Sequence, residues 1–303
     1  VLELHDPATP TLLTDSEENK LYKFIRLLYF CAMFEKRVYR LFIVPLTFLL
    51  LVGCGEYEKL LKSKDYELKY DKALQYYEDE DYVRAATLLD QVVNIYRGTM
   101  KADTVKYYQA MSYYGQRDYI LAGHYFQQLS TTYTGSAYLE ESDFMSAYCS
   151  YMQSPRPSLD QTSTFQAINA FKMYMTKYPN SDKIPQCKEI LVELNNKIVE
   201  KSYNSSRLYY DLGYYKSAII SLRNSLESYP DTKYREDILY LILRSSYLLA
   251  DNSVESKRKE RFQSTIDEYF SFASEFPESD HKKDAEKMYR SSQEILDKYT
   301  SNN

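Results

Sequence analysis

Asp81-Tyr82-Val83-Arg84-Ala85 returns 37 residues later as Asp118-Tyr119-Ile120-Leu121-Ala122. The likeness extends outward from both copies. An apolar residue follows each alanine by four positions, Leu89 and then Phe126. A second alanine precedes each by twelve, Ala73 and Ala110, and is trailed three residues on by Tyr76 and Tyr113. From about Glu67 onward, apolar and aromatic residues recur at i, i+3, i+4 and i+7, the spacing of one helix face. Alanine at the repeated positions suits two helices crossing at 8–10 Å, a separation that a longer side chain would not permit.

Small residues where antiparallel helices touch, and large ones filling the gap between pairs, make the tetratricopeptide (TPR) pattern. It persists downstream in a less regular form. Ala167 leads to Tyr178-Pro179-Asn180-Ser181, Ala218 to Tyr229-Pro230-Asp231-Thr232, and Thr265 to Phe276-Pro277-Glu278-Ser279. Each proline falls twelve residues after its Ala or Thr, where such a repeat ends its second helix; proline cannot continue a helix and restrains the residue before it. The expectation is an all-α solenoid of about five helix-turn-helix repeats closed by a C-terminal helix from about His281 to Tyr299. Prolines at 155 and 157 mark a loop over 153–164, placing a boundary between an N-terminal module at 67–160 and a C-terminal one at 161–300. The polar run Asp251–Lys259 reads as a second, mobile loop.

Upstream, Lys36-Arg37-Val38-Tyr39-Arg40 precedes eleven uncharged residues, Leu41–Leu51. That run is too short to span a bilayer, but a positive stretch followed by a short apolar one is the build of a secretory signal peptide. Leu51-Val52-Gly53-Cys54 follows and resembles the lipobox of bacterial lipoproteins, in which the cysteine thiol carries a diacylglyceryl group. Residues 33–53 are then the signal peptide, Cys54 the lipidated N-terminus, and 54–66 a short polar tether. Residues 1–32 are an over-extended gene start or a long leader.

Composition narrows the function. Seven glycines and nine prolines in 303 residues argue against a turn-rich β fold. With a net charge of −5 and interspersed signs there is no phosphate-binding stripe, which counts against nucleic acid. Three His and four Cys (His5, His124, His281; Cys31, Cys54, Cys149, Cys187) show no zinc-ligand spacing. No G-x-S-x-G elbow or glycine-rich phosphate loop occurs, so no catalytic residue, metal ligand or cofactor is expected beyond the covalent diacylglyceryl and N-acyl lipid on Cys54. His124 reads as a partly buried packing residue. Cys149 and Cys187, in different repeats, could pair or stay free. The 34 tyrosines, with no tryptophan, are unusual. Aligning Ala85 with Ala122 places Tyr70 with Tyr107, Leu74 with Met111 and Tyr77 with Tyr114 on first helices, facing the groove. Aromatic faces with hydroxyls suit a peptide rich in aromatic and apolar side chains; the alternative is that these rings pack between helices.

A lipobox, a short tether and five repeats with aromatic-Pro-x-Ser/Thr turns resemble the BamD family, the TPR lipoproteins of the outer-membrane β-barrel assembly machinery. The tyrosine content and the longer later repeats depart from its best-known members and point to a divergent, Bacteroidetes-like lineage. The resemblance implies a non-enzymatic protein anchored at the outer membrane and facing the periplasm. Its N-terminal repeats would bind targeting strands of unfolded outer-membrane proteins, and its C-terminal repeats, about 203–299, would dock on a BamA-like barrel protein. The rival readings are a TPR lipoprotein adaptor for a cell-envelope enzyme or complex, a glycan-binding TPR lipoprotein, and, last, an enzyme.

Overall fold

The computed structural model describes residues 54–301, and the leader and signal segments expected over 1–53 lie outside that range. The described residues form twelve helices: α1 (Cys54–Lys62), α2 (Tyr66–Glu78), α3 (Tyr82–Val92), α4 (Ala102–Gly115), α5 (Tyr119–Thr132), α6 (Leu139–Met152), α7 (Thr162–Lys177), α8 (Ile184–Asp211), α9 (Tyr215–Ser228), α10 (Arg235–Asp251), α11 (Glu255–Glu275) and α12 (Lys282–Ser301). Two compact units result, one ending at Asp71 and one spanning Lys72–Asn303.

In the first unit the segment expected to be a tether is largely the helix α1. Ser63 and Asp65 make the turn that follows it. The Asp65 N–H donates to Ser63 Oγ at 3.0 Å, and Asp65 Oδ1 accepts from the Leu68 N–H at 3.0 Å, satisfying an otherwise unpaired donor at the start of α2.

In the second unit each helix from α3 to α12 packs on the next, and α10 also touches α8 and α12. The pairs α2–α3, α4–α5, α6–α7, α8–α9 and α10–α11 are the five expected repeats, closed by α12: a tetratricopeptide-type all-α solenoid. Ala73, Ala85, Ala110, Ala122, Ala167, Ala218 and Thr265 are all buried at the crossings, as their size requires. Gly115 serves the same end, since a Cβ there would lie 2.5 Å from ring carbons of Tyr82.

Two kinds of turn connect the helices, and each repeats its hydrogen bonds. In three of the turns between first and second helices the chain closes with a left-handed residue: Glu80 (φ 59°), Arg117 (φ 63°) or Gly213 (φ 77°). The next N–H then reaches back five residues, Asp81 to Tyr76 O, Asp118 to Tyr113 O and Tyr214 to Tyr209 O. Asp81 and Asp118 go on to cap α3 and α5 through the N–H groups of Arg84 and Leu121.

Between repeats, the hydroxyls of Ser181, Thr232 and Ser279 accept from the N–H two residues on, at 3.2, 3.2 and 3.0 Å. That is why a Ser or Thr stands at the end of each aromatic-Pro turn. The structure adds two turns with the same bonds and no proline, Tyr96-Arg97-Gly98-Thr99 and Tyr133-Thr134-Gly135-Ser136.

One of the two loop expectations changes. The connection expected at 251–259 is only Asn252–Val254, because the Glu, Lys and Arg that made it look like a loop are good helix formers and build the exposed first turns of α11. The connection between α6 and α7 is a loop, but not a break in packing. Gln161 is buried beneath it, donating to the carbonyls of Arg156 and Leu159 and accepting from Thr164 Oγ1 at 2.7 Å. One hydrophobic cluster runs from Ala110 to Ile198 across that loop, and the next begins at Tyr203. Helix α8, 28 residues long, thus contributes to both clusters.

Candidate functional site

Helix α4 shows how the first helices present a surface. Val105, Lys106, Gln109, Ala110 and Ser112 are buried, while Tyr107, Tyr108, Met111 and Tyr114 are half-buried. At 3.6 residues per turn Met111 centres the open face, with Tyr107 and Tyr114 to one side and Tyr108 to the other.

The rings on either side reach neighbouring first helices. Tyr107 stacks on Tyr138, just before α6, at 4.3 Å between centroids and 15° between planes, and Tyr114 lies 6.4 Å from Tyr148 on α6. Toward α2, Tyr108 meets Tyr77 edge-on at 5.1 Å, and Tyr77 meets Tyr82 at 5.6 Å. Edge-on and offset ring pairs of this kind contribute about 0.5–1.5 kcal/mol beyond their burial. The rings thus brace adjacent repeats and still hold one edge in solvent.

Of the residues expected in the groove, Tyr77, Tyr107, Met111 and Tyr114 belong to this surface. Leu74 is half-buried, and Tyr70 is buried and offers a client no face. Sequence reasoning missed Tyr108, Tyr138, Tyr148 and Tyr151. A further step of 37 residues would have found two of them, since Met111 leads to Tyr148 and Tyr114 to Tyr151. Tyr108 points backward to the preceding repeat and Tyr138 precedes its helix, so neither follows that register.

Five of these phenols are held in the neutral, donating form near neutral pH. Burial raises the Tyr77, Tyr108 and Tyr114 hydroxyls, and burial followed by the charge of Glu141 pushes Tyr107 up to about 12. Tyr151 also rises to about 12, first through its 2.6 Å hydrogen bond to Glu193 Oε2. The surface can supply flat apolar faces edged with hydroxyl donors, which is binding chemistry.

The remaining candidates resolve simply. His124 is exposed on α5, 5.6 Å from the Tyr125 ring, rather than partly buried. Cys149 and Cys187 are free and buried in one core cluster, where burial pushes the Cys149 thiol up to about 12. Among the described residues no group of three or more His, Cys, Asp or Glu could hold a metal ion, and no helix is long and apolar enough to cross a membrane. Cys54 is the first residue of α1.

In the C-terminal repeats α10 and α12 share a polar and charged cluster. Tyr240 OH donates to Asp284 Oδ2 at 2.6 Å and accepts from Arg244 at 3.1 Å, and its ring stacks on His281 at 3.9 Å. Arg244, Tyr247, Asp284 and Lys287 border a cavity of about 230 Å³ between α10 and α12.

No curated protein matches this chain. Among solved structures it is similar to the TPR2AB-domain:pHSP90 complex of yeast Sti1, at 10% identity and a TM-score of 0.35, covering 75% of this chain and 98% of that one. It is also similar to a putative kinesin light chain of Podosopora anserina with nearly identical TPR-like repeats, at 13% identity and a TM-score of 0.30, covering 68% of this chain and 94% of that one. Residues 62–261, two thirds of the chain, match the family YfiO, described as an outer membrane lipoprotein. The chain therefore belongs to the YfiO family of outer membrane lipoproteins.

Proposed function

We propose that this chain is a non-enzymatic lipoprotein component of the machinery that assembles β-barrel proteins in the outer membrane. Acylated at Cys54 and facing the periplasm, it holds targeting strands of unfolded outer-membrane proteins on the tyrosine surface of its first three repeats. It docks through about residues 203–299 on a BamA-like barrel protein. The half-buried rings Tyr77, Tyr107, Tyr108, Tyr114 and Tyr148 carry this reading. They recur on successive first helices and combine partly exposed apolar faces with hydroxyl edges, as an extended strand with alternating aromatic side chains requires. For the second role, the charged Arg244–Asp284–Lys287 region gives orientation more than affinity.

The decisive experiment is affinity purification of the lipidated chain from its native membrane in mild detergent. A large polypeptide-transport barrel protein should co-purify, and its absence would sink the assembly reading in favour of an adaptor for another envelope complex. In the same preparation, Cys54→Ala should remove acyl labelling. Tyr108→Ala combined with Tyr114→Ala should weaken a peptide copying an outer-membrane protein's last strand by about tenfold or more, each lost aromatic anchor costing about 1 kcal/mol or more. Unchanged affinity in the folded double variant would assign those rings to packing alone.

A further inference from the structure

On the opposite side of α4 from Met111, a second site lies between the second helices α3 and α5. Its cavity of about 280 Å³ has room for one sugar-sized ring, and it is polar where the tyrosine surface is aromatic. Lys106 of α4 is part of its lining. Only 8% of that residue is exposed, and its ammonium sits 4.2 Å over the Tyr125 ring. Among the described residues no hydrogen bond or ion pair reaches Lys106 Nζ, and Arg97, a second cation lining the cavity, has none either. Asp90 is the one carboxylate in the lining. It is already engaged, accepting from Gln109 Nε2 at 2.5 Å and from Tyr113 OH at 2.7 Å.

The next repeat shows that this lining is particular to the first groove. Between α5 and α7 the equivalent groove is a cavity of about 570 Å³. There Asp143 stands 37 residues on from Lys106, and Ala170 takes the place of Tyr125 when Ala122 is aligned with Ala167. Asp143 has its counter-charge in Lys177, at 2.6 Å. Lys106 has none. In the first cavity Lys106 and Arg97 set against Asp90 leave one positive charge, which a monoanion neutralises and a dianion would overfill. Asn94, Gln128, Thr132 and Tyr133 also line it, and their side chains make no hydrogen bond among the described residues. Amides and hydroxyls both donate and accept, so they match a ligand whose own groups do both. A ring of hydroxyls around a carboxylate meets that demand, and a bare carboxylate, which only accepts, does not.

We propose that this cavity binds one acidic sugar residue, a hexuronate, its carboxylate paired with Lys106 and the fork of Arg97 and its ring hydroxyls hydrogen-bonded to Asn94, Gln128 and Thr132. The planar guanidinium suits a carboxylate, which it meets with two parallel hydrogen bonds. The half-buried ring of Tyr133 supplies an apolar face for the C–H side of the sugar. The site lies on a different face from the tyrosine surface and stands or falls apart from the function proposed above.

The test is isothermal titration of the full chain in detergent at about pH 7, below the value of about 8 to which burial brings the Lys106 ammonium. Methyl β-glucuronide should bind about 10- to 100-fold more tightly than methyl β-glucoside, the usual span for one charged hydrogen-bonded contact. Asn94→Ala combined with Gln128→Ala should weaken the glucuronide about tenfold through two lost hydrogen bonds. Lys106→Met, which keeps the buried stem, should abolish the preference for the acid. If that variant does not fold, the exposed Arg97→Gln should reduce it instead. Equal binding of the two sugars, or no binding of either, overturns the proposal, as does a preference that survives both charge substitutions. An unchanged glucuronide affinity in the Asn94, Gln128 double variant overturns it too, by leaving the sugar ring without a role. Acetate or inorganic phosphate competing as well as the glucuronide would make the cavity a plain oxyanion site, and glycerophosphoglycerol competing as well would make it a lipid-headgroup site; either result sinks the sugar assignment.

Discussion

Arg117 carries a cost that its neighbours reveal. It closes the α4–α5 turn at φ 63°, the conformation glycine supplies at Gly213 in the α8–α9 turn. For a residue with a Cβ that conformation costs about 1–2 kcal/mol, while glycine costs about 0.5–1 in backbone entropy. Arg117→Gly is thus expected to stabilise the protein by about 0.5–1 kcal/mol, and Gly213→Ala to destabilise it by about 1–2 kcal/mol. Urea midpoints of the two variants check both signs, and a destabilised Arg117→Gly would show that the side chain makes a compensating contact. These residues were legible in sequence only as part of a repeated motif. The Asp-Tyr signature marked where the turn is, but which residue turns left-handed depends on how the helix end unwinds.

Helix α8 is the element that joins the two halves of the larger unit. Its Cys187, Ile190, Leu194 and Ile198 belong to the core of repeats two and three, and its Tyr203 to the core of repeats four and five. The rod transmits position from one core to the other only while its hydrogen bonds run unbroken. Glu200→Pro lies between the two sets and should cost about 3 kcal/mol or more by removing one bond and crowding the preceding turn. Calorimetry should then resolve two transitions, whereas a single cooperative transition in the variant would mean that the α8–α10 contact alone couples the cores. From sequence, the prolines at 155 and 157 looked like the joint. That α8 serves both cores was not legible, because which core each apolar residue enters is a tertiary matter and the 3.6-residue period of a long helix is the same along its whole length.

At the scale of the molecule, the excess of tyrosine shapes the response to alkali. Tyr107 and Tyr151 rise from an ordinary value of 10.0 to about 12, and the Cys149 thiol rises from 9.0 to about 12. In the unfolded chain these groups lose their protons first, so the folded state holds more protons through that interval and stability falls as pH rises. Their contribution is complete below about pH 9 and is lost progressively toward about pH 12. Lys106 opposes it, since its lowered value makes the unfolded chain bind more protons between about 8 and 10.5. Urea midpoints should therefore decline steeply only above about pH 10, with phenolate absorbance of the native protein lagging that of the unfolded chain. A midpoint unchanged to about pH 11.5 would contradict the burial assigned to these phenols.

The amino-acid order alone determined the helical class, the number of repeats, the alanines at the crossings and the three proline turns, because each depends on spacing within some forty residues of chain. It also marked Tyr77, Tyr107, Met111 and Tyr114, since a residue's place on a helix face follows from its register. Tertiary structure alone decided that Tyr70 is buried, that Tyr108 and Tyr138 complete the aromatic surface, and that α8 serves both cores. Only it, too, gathered Arg97, Lys106 and Gln109 around one cavity. Periodicity says which way a side chain leaves its own helix. What it meets there is set by the twist between neighbouring repeats, and that angle comes from packing rather than from any local run of residues.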